Sequence, residues 1–395
     1  MQVGGKMKHE HDEGLLAVLA EAHSHALQFE GAIADSSDAT TIWGKLRLAL
    51  ETHGLFGKGK HIFAGAHQLN LTPRMIAMVL YRSLLKRGPE GTLGWIHELF
   101  SVETIDSRRC AELIGVKIKE PLLLLNGVRL VPFEEMRSSW YADGLRCANS
   151  MPRSMMAEFP YDVIGMYQVA SLKFSTDIEN YRGDYQDLTD TALAVTVATS
   201  CAAVLGAAWS EYENTDYADA EIGWSHMPAL YEGRSPRFQD ITLDASHFED
   251  INRFLSLAGT AKKACLTASA RLNSARRRIT PGDSAIDLAT ALEALLATND
   301  ERSEITYRLK LRAALMLGDN FEERDNVFKL VGELYKLRSK VVHGSISTTS
   351  NATDIATVRW ATDVCQQLLV MVVRAGRMPD LKKLVLIGKA EASFS

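Results

Sequence analysis

The chain has 395 residues, 46% of them apolar and 24% charged, and a formal net charge of −5. That length implies two or three domains, and the composition is that of a globular protein with no low-complexity tract or repeat. The five cysteines (Cys110, Cys147, Cys201, Cys265 and Cys365) form no CxxC pair, which excludes a disulfide framework and a cysteine zinc site and points to a reducing cytoplasm. The first six residues, Met1 to Lys6, lack the apolar centre of a signal peptide.

Residues 12–115 read as mostly helical. Leu15 to Leu19, Trp43 to Leu50 and Met75 to Leu85 are apolar at helical spacing, and Thr72-Pro73 and Asp106-Ser107 have the character of helix starts. A different pattern follows at 121–132, where two short apolar runs flank Asn126-Gly127. That dipeptide supplies the positive φ of a tight turn, so a β-hairpin is expected. The stretch 133–190 has no clear period. Thr191 to Trp209 carries no charge and is about one bilayer span long. It is built from Ala, Thr, Ser and Val, which supply little transfer energy, and so reads as a buried helix or strand pair and not a membrane span.

Residues 212–240 are rich in Tyr, Asp, Pro and Gly and read as an irregular connection, with a domain boundary near 240. From there helices are predicted at 247–258, 261–278, 283–297, 303–317, 322–343 and 353–374, with Asp283 as an N-cap after Pro281-Gly282. Short connections between amphipathic helices imply antiparallel neighbours in a bundle. The expected architecture is mainly α. Residues 1–240 form a helical sensing or regulatory region with the hairpin, 241–376 form the bundle, and 377–395 are a tail.

Charge is uneven along these parts. Residues 251–376 hold 18 Lys and Arg against 13 Asp and Glu, whereas residues 1–250 hold 22 against 34. A basic C-terminal third is able to hold a polyanion, and the acidic front discourages indiscriminate nucleic-acid binding. Chance asymmetry on a solvated surface is the plainer account.

Within the basic third lies Leu337-Arg338-Ser339-Lys340-Val341-Val342-His343-Gly344. Val327, Val331, Leu334, Tyr335, Arg338 and Val342 recur at three- and four-residue spacing, which sets Arg338 on the apolar helix face. A guanidinium keeps its charge and rarely sits on such a face without a partner or a task. Gly344 suits the left-handed position after a helix, so His343 lies at the helix end. Two readings stand. Arg338 pairs with a carboxylate, Glu293 being the candidate, and His343 only caps the helix; or the two are an acid–base and phosphate-binding pair.

Three segments in order, DLATALEALL at 287–296, RLKLRAALMLG at 308–318 and YKLRSKVVHG at 335–344, resemble the HEPN superfamily of helical-bundle domains, and within it the Apea-like group. The resemblance covers roughly residues 245–376, and the hairpin with Phe133-Glu134 is similar to the front part of that group. It implies a metal-independent endoribonuclease with no cofactor, working as a homodimer, with Arg338 and His343 catalytic. Ser339, Lys340, Glu293 and Arg312 stand as supporting or RNA-binding residues. The family most often has Asn, Asp or His where this chain has Ser339; serine still donates and accepts hydrogen bonds. The resemblance further implies an RNA substrate, a phage or host trigger, and a part in phage defence or growth arrest. Inactive relatives make a dimerising or partner-binding scaffold the alternative.

The chemistry follows from residue types. RNA carries its own nucleophile, the 2′-hydroxyl. Cleavage needs a base for that proton, an acid for the leaving 5′-oxygen and positive charge for the transition state. Histidine fills the first two roles near neutral pH and arginine the third. One chain offers one such histidine, and a two-fold dimer offers two.

Other motifs are weaker. Gly54 to His61 (GLFGKGKH) nearly matches a phosphate-binding loop, but His61 replaces the required Ser or Thr and a helix precedes it, so a basic loop is the better reading. His9-Glu10-His11 and His23-Ser24-His25 have no third ligand in view and read as solvated surface. Arg276-Arg277-Arg278 ends a predicted helix, and a solvated role favouring the helix dipole is preferred over phosphate contacts.

Overall fold

The structure is a computed structural model. It describes residues 3–28, 41–52, 62–64, 67–69, 73–101, 104–149, 163–173, 185–214, 216, 241–297, 304–344, 351–388 and 393–394. Among these the chain is mostly helical, with twelve α-helices and a small sheet. The near-match loop at 54–61 and most of the irregular stretch 212–240 lie outside the described residues, as do the side chains of His9 to His11.

The chain divides into two compact units that are not consecutive along the sequence, as a cut near 240 has them. One comprises Met1–Cys110, Val169–Asp184 and Trp209–His226, the other Ala111–Gln168, Tyr185–Ala208 and Met227–Ser395. In the first unit α1 (Val3–Gln28), α2 (Ile42–Thr52) and α3 (Pro73–Ser101) pack on one another. Leu15, Leu19, Leu46, Leu50 and Leu84 are buried between them. A short pair, β1 (Ile62–Ala64) with β2 (His67–Leu69), is antiparallel.

The second unit contains the hairpin. β4 (Leu122–Leu123) pairs antiparallel with β5 (Arg129–Pro132), Leu122 opposite Leu130, and Gly127 takes φ +80°. The Leu124 N–H donates to Val128 O at 2.8 Å and the Gly127 N–H to Leu124 O at 3.0 Å, which closes the turn that Asn126-Gly127 predicts. A Cβ at 127 meets no steric obstacle nearer than 3.8 Å, so its cost is the backbone conformation alone. Gly127→Ala is expected to lower stability by about 1–2 kcal/mol, measured by thermal unfolding.

The hairpin is the margin of a larger sheet, ordered β4-β5-β6-β3-β7, whose other strands are β3 (Thr104–Ile114), β6 (Val163–Lys173) and β7 (Val204–Tyr212). The expected helix beginning at Asp106-Ser107 is therefore a strand. Its residues Cys110 to Ile114 are buried without interruption, so no alternation marks it as a strand in the sequence. Thr191 to Trp209 resolves into α5 (Gln186–Thr199) followed by β7, separated at Ser200 with φ 59°. Thr191, Thr196 and Thr199 of α5 are buried with their hydroxyls returned to the preceding turn, as in Thr196 Oγ1 to Ala192 O at 3.0 Å and Thr199 Oγ1 to Val195 O at 2.6 Å. No described helix is long and apolar enough to cross a membrane.

After α4 (Trp140–Asn149) in the middle of the chain, six helices follow residue 244: α6 (Ala245–Leu255), α7 (Gly259–Arg277), α8 (Pro281–Leu296), α9 (Ile305–Leu317), α10 (Phe321–Val342) and α11 (Ala352–Ala375). A short α12 (Leu381–Ile387) packs on α9. Helix α8 is the innermost, in contact with α7, α9, α10 and α11, and Ala285, Leu288, Ala289, Ala291, Leu292 and Leu295 are fully buried on it. Its alanines allow neighbours to approach from several sides. The N-cap of α8 is Thr280, whose hydroxyl accepts from the Asp283 N–H at 3.1 Å; Asp283, expected as the cap, instead accepts the Thr280 hydroxyl at 2.7 Å. Asn320 and Asn351 cap α10 and α11 in the same manner.

Candidate functional site

The motif segment occupies the last turns of α10. Val331, Leu334, Tyr335 and Leu337 are buried, as the apolar stripe requires, but Arg338 is exposed and Val342 is 56% exposed. The stripe thus continues past the point where neighbouring described residues cover it. Arg338 lies on the core-facing side of the helix by phase, yet in contact with solvent. His343 is the C-cap, its N–H donating to Ser339 O at 3.1 Å, and Gly344 follows with φ +69° in the left-handed region that the sequence predicts. Ser339 and Lys340 are exposed on the same last turns.

Among the described residues, the side chains of Arg338 and His343 make no hydrogen bond or ion pair. The candidate partner Glu293 is occupied elsewhere: the Tyr335 hydroxyl donates to Glu293 Oε1 at 3.1 Å and lies 3.3 Å from Ala289 O. Burial, reinforced by the charge of Glu293, pushes the Tyr335 phenol far up, and the charge of Arg338 acts in the opposite direction. Tyr335 therefore stays protonated and ties α10 to α8 directly beneath Arg338. Sequence reading placed Tyr335 on the stripe without a role; its position three residues before Arg338 was the available signal.

Arg312, expected among the supporting residues, is 6% exposed and donates through Nη1 to Leu296 O at 2.8 Å. It closes the carbonyl end of α8 and does not face solvent, so the structure does not bring it to the surface with Arg338 and His343. The arginine run 276–278 is also engaged with neighbouring elements, Arg277 buried and Arg276 and Arg278 half-buried. Arg276 donates to Thr196 O at 3.1 Å, Cys201 O at 2.8 Å and Gln366 Oε1 at 2.8 Å, and so holds the carbonyl end of α5. Burial lowers its pKa to about 10, which leaves it charged at neutral pH. Arg277 is 5% exposed and donates to Asn273, while Arg278 pairs with Asp287 at 2.7 Å. Neither the solvated nor the phosphate-binding expectation fits these three residues; their guanidiniums are used to join α5, α7, α8 and α11.

Other nucleophiles in this unit are quiet. Burial pushes the Cys265 and Cys365 thiols up to about 12 and raises that of Cys201, so none is a thiolate near neutral pH. His23 and His25 belong to α1, and no group of three or more His, Cys, Asp or Glu among the described residues is arranged to hold a metal ion. Comparison with protein-family models, with curated proteins and with solved structures finds no match.

Proposed function

We propose that the helices after residue 244 form an antiparallel bundle of the HEPN type. In this reading two copies of the chain cut RNA by attack of the ribose 2′-hydroxyl on the adjacent phosphate. The observation that carries it is the state of α10's last turns, where an arginine and a histidine are both solvent-exposed and, among the described residues, in no hydrogen bond or ion pair, beside the exposed Val342. Five helical residues advance about 7.5 Å and turn ~140°, so the two side chains of one copy diverge. A two-fold partner seated on the uncovered end of the stripe supplies a second pair to the same cleft.

In the composite site one His343 takes the 2′-proton while the other protonates the leaving 5′-oxygen, so the two copies hold opposite protonation states as a turnover begins. Arg338 offers its fork of donors to the non-bridging oxygens as charge develops there. Ser339 and Lys340, exposed on the same turns, are placed for neighbouring phosphates. Glu293 serves indirectly, by holding Tyr335. The acidic front of the chain restrains the activity until a phage or host signal releases it in a reducing compartment.

A second reading, a non-catalytic scaffold, is favoured by the same exposed Val342, since an apolar helix end suits any two-fold contact. Expression of the wild type against His343→Ala separates them. The ribonuclease reading predicts fragmented RNA and slowed growth only with the wild type, whereas intact RNA and equal growth in both supports the scaffold. Both readings predict a dimer by sedimentation, and a strict monomer contradicts the composite site.

A further inference from the structure

The flank of α10 beside the apolar stripe carries a second pattern, half-buried against α9 at Phe328 and Gly332 and exposed from Lys336 onward. Phe328, Gly332, Lys336, Ser339 and His343 recur at four, four, three and four residues, so they lie in one line along the helix. At the start of that line the Tyr307 and Phe328 rings meet edge to face, 5.7 Å between centroids, and Tyr307 is 54% exposed. The Lys310 ammonium sits 4.0 Å from the centre of the Phe328 ring. It crosses α10 where Gly332 lacks a side chain: a Cβ there falls 3.2 Å from Lys310 Cε and 3.3 Å from Nζ. Lys336, 69% exposed, and Lys340 continue the positive charge toward His343. Asp325 pairs with Lys329 at 2.6 Å and Glu333 with Lys336 at 2.7 Å.

We infer that this line is a track for single-stranded RNA, with Tyr307, held edge-on by Phe328, stacking a base and Lys310 and Lys336 meeting phosphates on the way to His343. Lys336 meets its phosphate by leaving Glu333, an exposed pair that costs little to open. An exposed ring, here Tyr307 backed by the half-buried Phe328, flanked by cations is a combination that holds unpaired strands, because every base has a face to stack and every nucleotide a charge to neutralise. From Phe328 to His343 the helix rises ~22 Å, room for about six stacked nucleotides at ~3.4 Å each. A duplex cannot offer its bases to the rings, so the track selects loops and unpaired ends. The inference deepens the ribonuclease reading and rests on it for the direction of the strand, but binding is measurable without cleavage.

The probe is a labelled oligodeoxythymidylate of about twelve nucleotides, within the range such surfaces cover. It has bases and phosphates but no 2′-hydroxyl, so it cannot be cut. Tyr307→Ala is expected to weaken its binding ~10-fold or more, and Tyr307→Phe to restore it, because stacking needs the ring and not the hydroxyl. Lys310→Met is expected to lower the slope of log affinity against log salt by about 0.7. His343→Ala should lose cleavage of the matching RNA, and its binding of the probe should change less than that of Tyr307→Ala. Wild type that does not bind the probe, or Tyr307→Ala that binds equally well, overturns the track even if RNA is still cut. So does a Tyr307→Ala variant whose only change is in dimerisation, which would assign the rings to the second copy. Binding that follows the track without any cleavage by the wild type leaves the track standing and removes the ribonuclease reading.

Discussion

His343→Ala is expected to reduce RNA cleavage by about 10²–10⁴-fold in turnover, the usual contribution of a positioned acid or base. Arg338→Ala is expected to cost ~10²–10³-fold, the range for losing one donor aimed at developing charge. Neither change should affect the fold. His343 and Arg338 are exposed, and the helix end is held by the backbone bond from the His343 N–H to Ser339 O and by Gly344, which both variants keep. The loss should appear in turnover and not in KM, because in the proposed mechanism both groups act where charge or a proton moves in the transition state. Arg338→Lys is informative as well. It keeps the charge but not the planar fork, and in a bidentate site it should recover little. Substrate-saturation kinetics on a defined RNA, with thermal unfolding run alongside, give all three results.

The largest effect on stability is expected at Asp287. Its carboxylate is 2% exposed and receives Arg278 Nε at 2.7 Å and Arg271 Nη1 at 3.0 Å, which ties α7 and the α7–α8 turn to the central helix. The two guanidiniums are 49% and 31% exposed, so they can return to water when the carboxylate is removed. Asp287→Ala then forfeits two charge-assisted hydrogen bonds and is expected to cost about 3 kcal/mol. Removing both arginines is worse, because the carboxylate stays buried with its charge uncompensated; Arg271→Ala with Arg278→Ala is expected to cost ~3–5 kcal/mol. Urea unfolding of the three proteins measures the order. A double variant as stable as the wild type would show that the carboxylate finds water, and that the ion pairs do not hold these helices together.

The helices after residue 244 were legible because each signal is local. Apolar spacing marks the faces, and Pro281-Gly282, Gly318 and Gly344 mark the breaks, so the predicted 322–343 is observed as Phe321–Val342 and the predicted 353–374 as Ala352–Ala375. The hairpin was legible for the same reason, through Asn126-Gly127. What escaped was long-range. Strand β3 is buried from Cys110 to Ile114 with the charged Glu112 among these residues, so neither an apolar run nor an alternation marks it in the sequence. The pairing of β5 with β6 joins Arg129 to Tyr167 across a stretch with no pattern of its own. Charged side chains misled in a similar way. Arg276 and Arg312 sit on helices whose sequences give no hint that another helix's carbonyl end lies opposite, and tertiary hydrogen bonding alone decides that they are engaged there. Arg338 shows the reverse. Its phase sets it on the apolar stripe, yet it is exposed, because phase does not say where the neighbouring helices stop.

That last point links the fold to the proposed chemistry. A stripe that outruns its own core has a use in a dimer. The residues at its end, Arg338, Val342 and His343, are the ones a catalytic reading needs in contact with a second copy and a phosphodiester. The most direct test is the chemistry of the cut ends. Purified protein incubated with RNA in excess EDTA should yield 5′-hydroxyl and 2′,3′-cyclic phosphate termini, with no such products from His343→Ala. Products ending in 3′-hydroxyl groups, loss of cleavage on chelation, or identical products from His343→Ala would contradict a metal-free attack by the ribose assisted by two copies of His343.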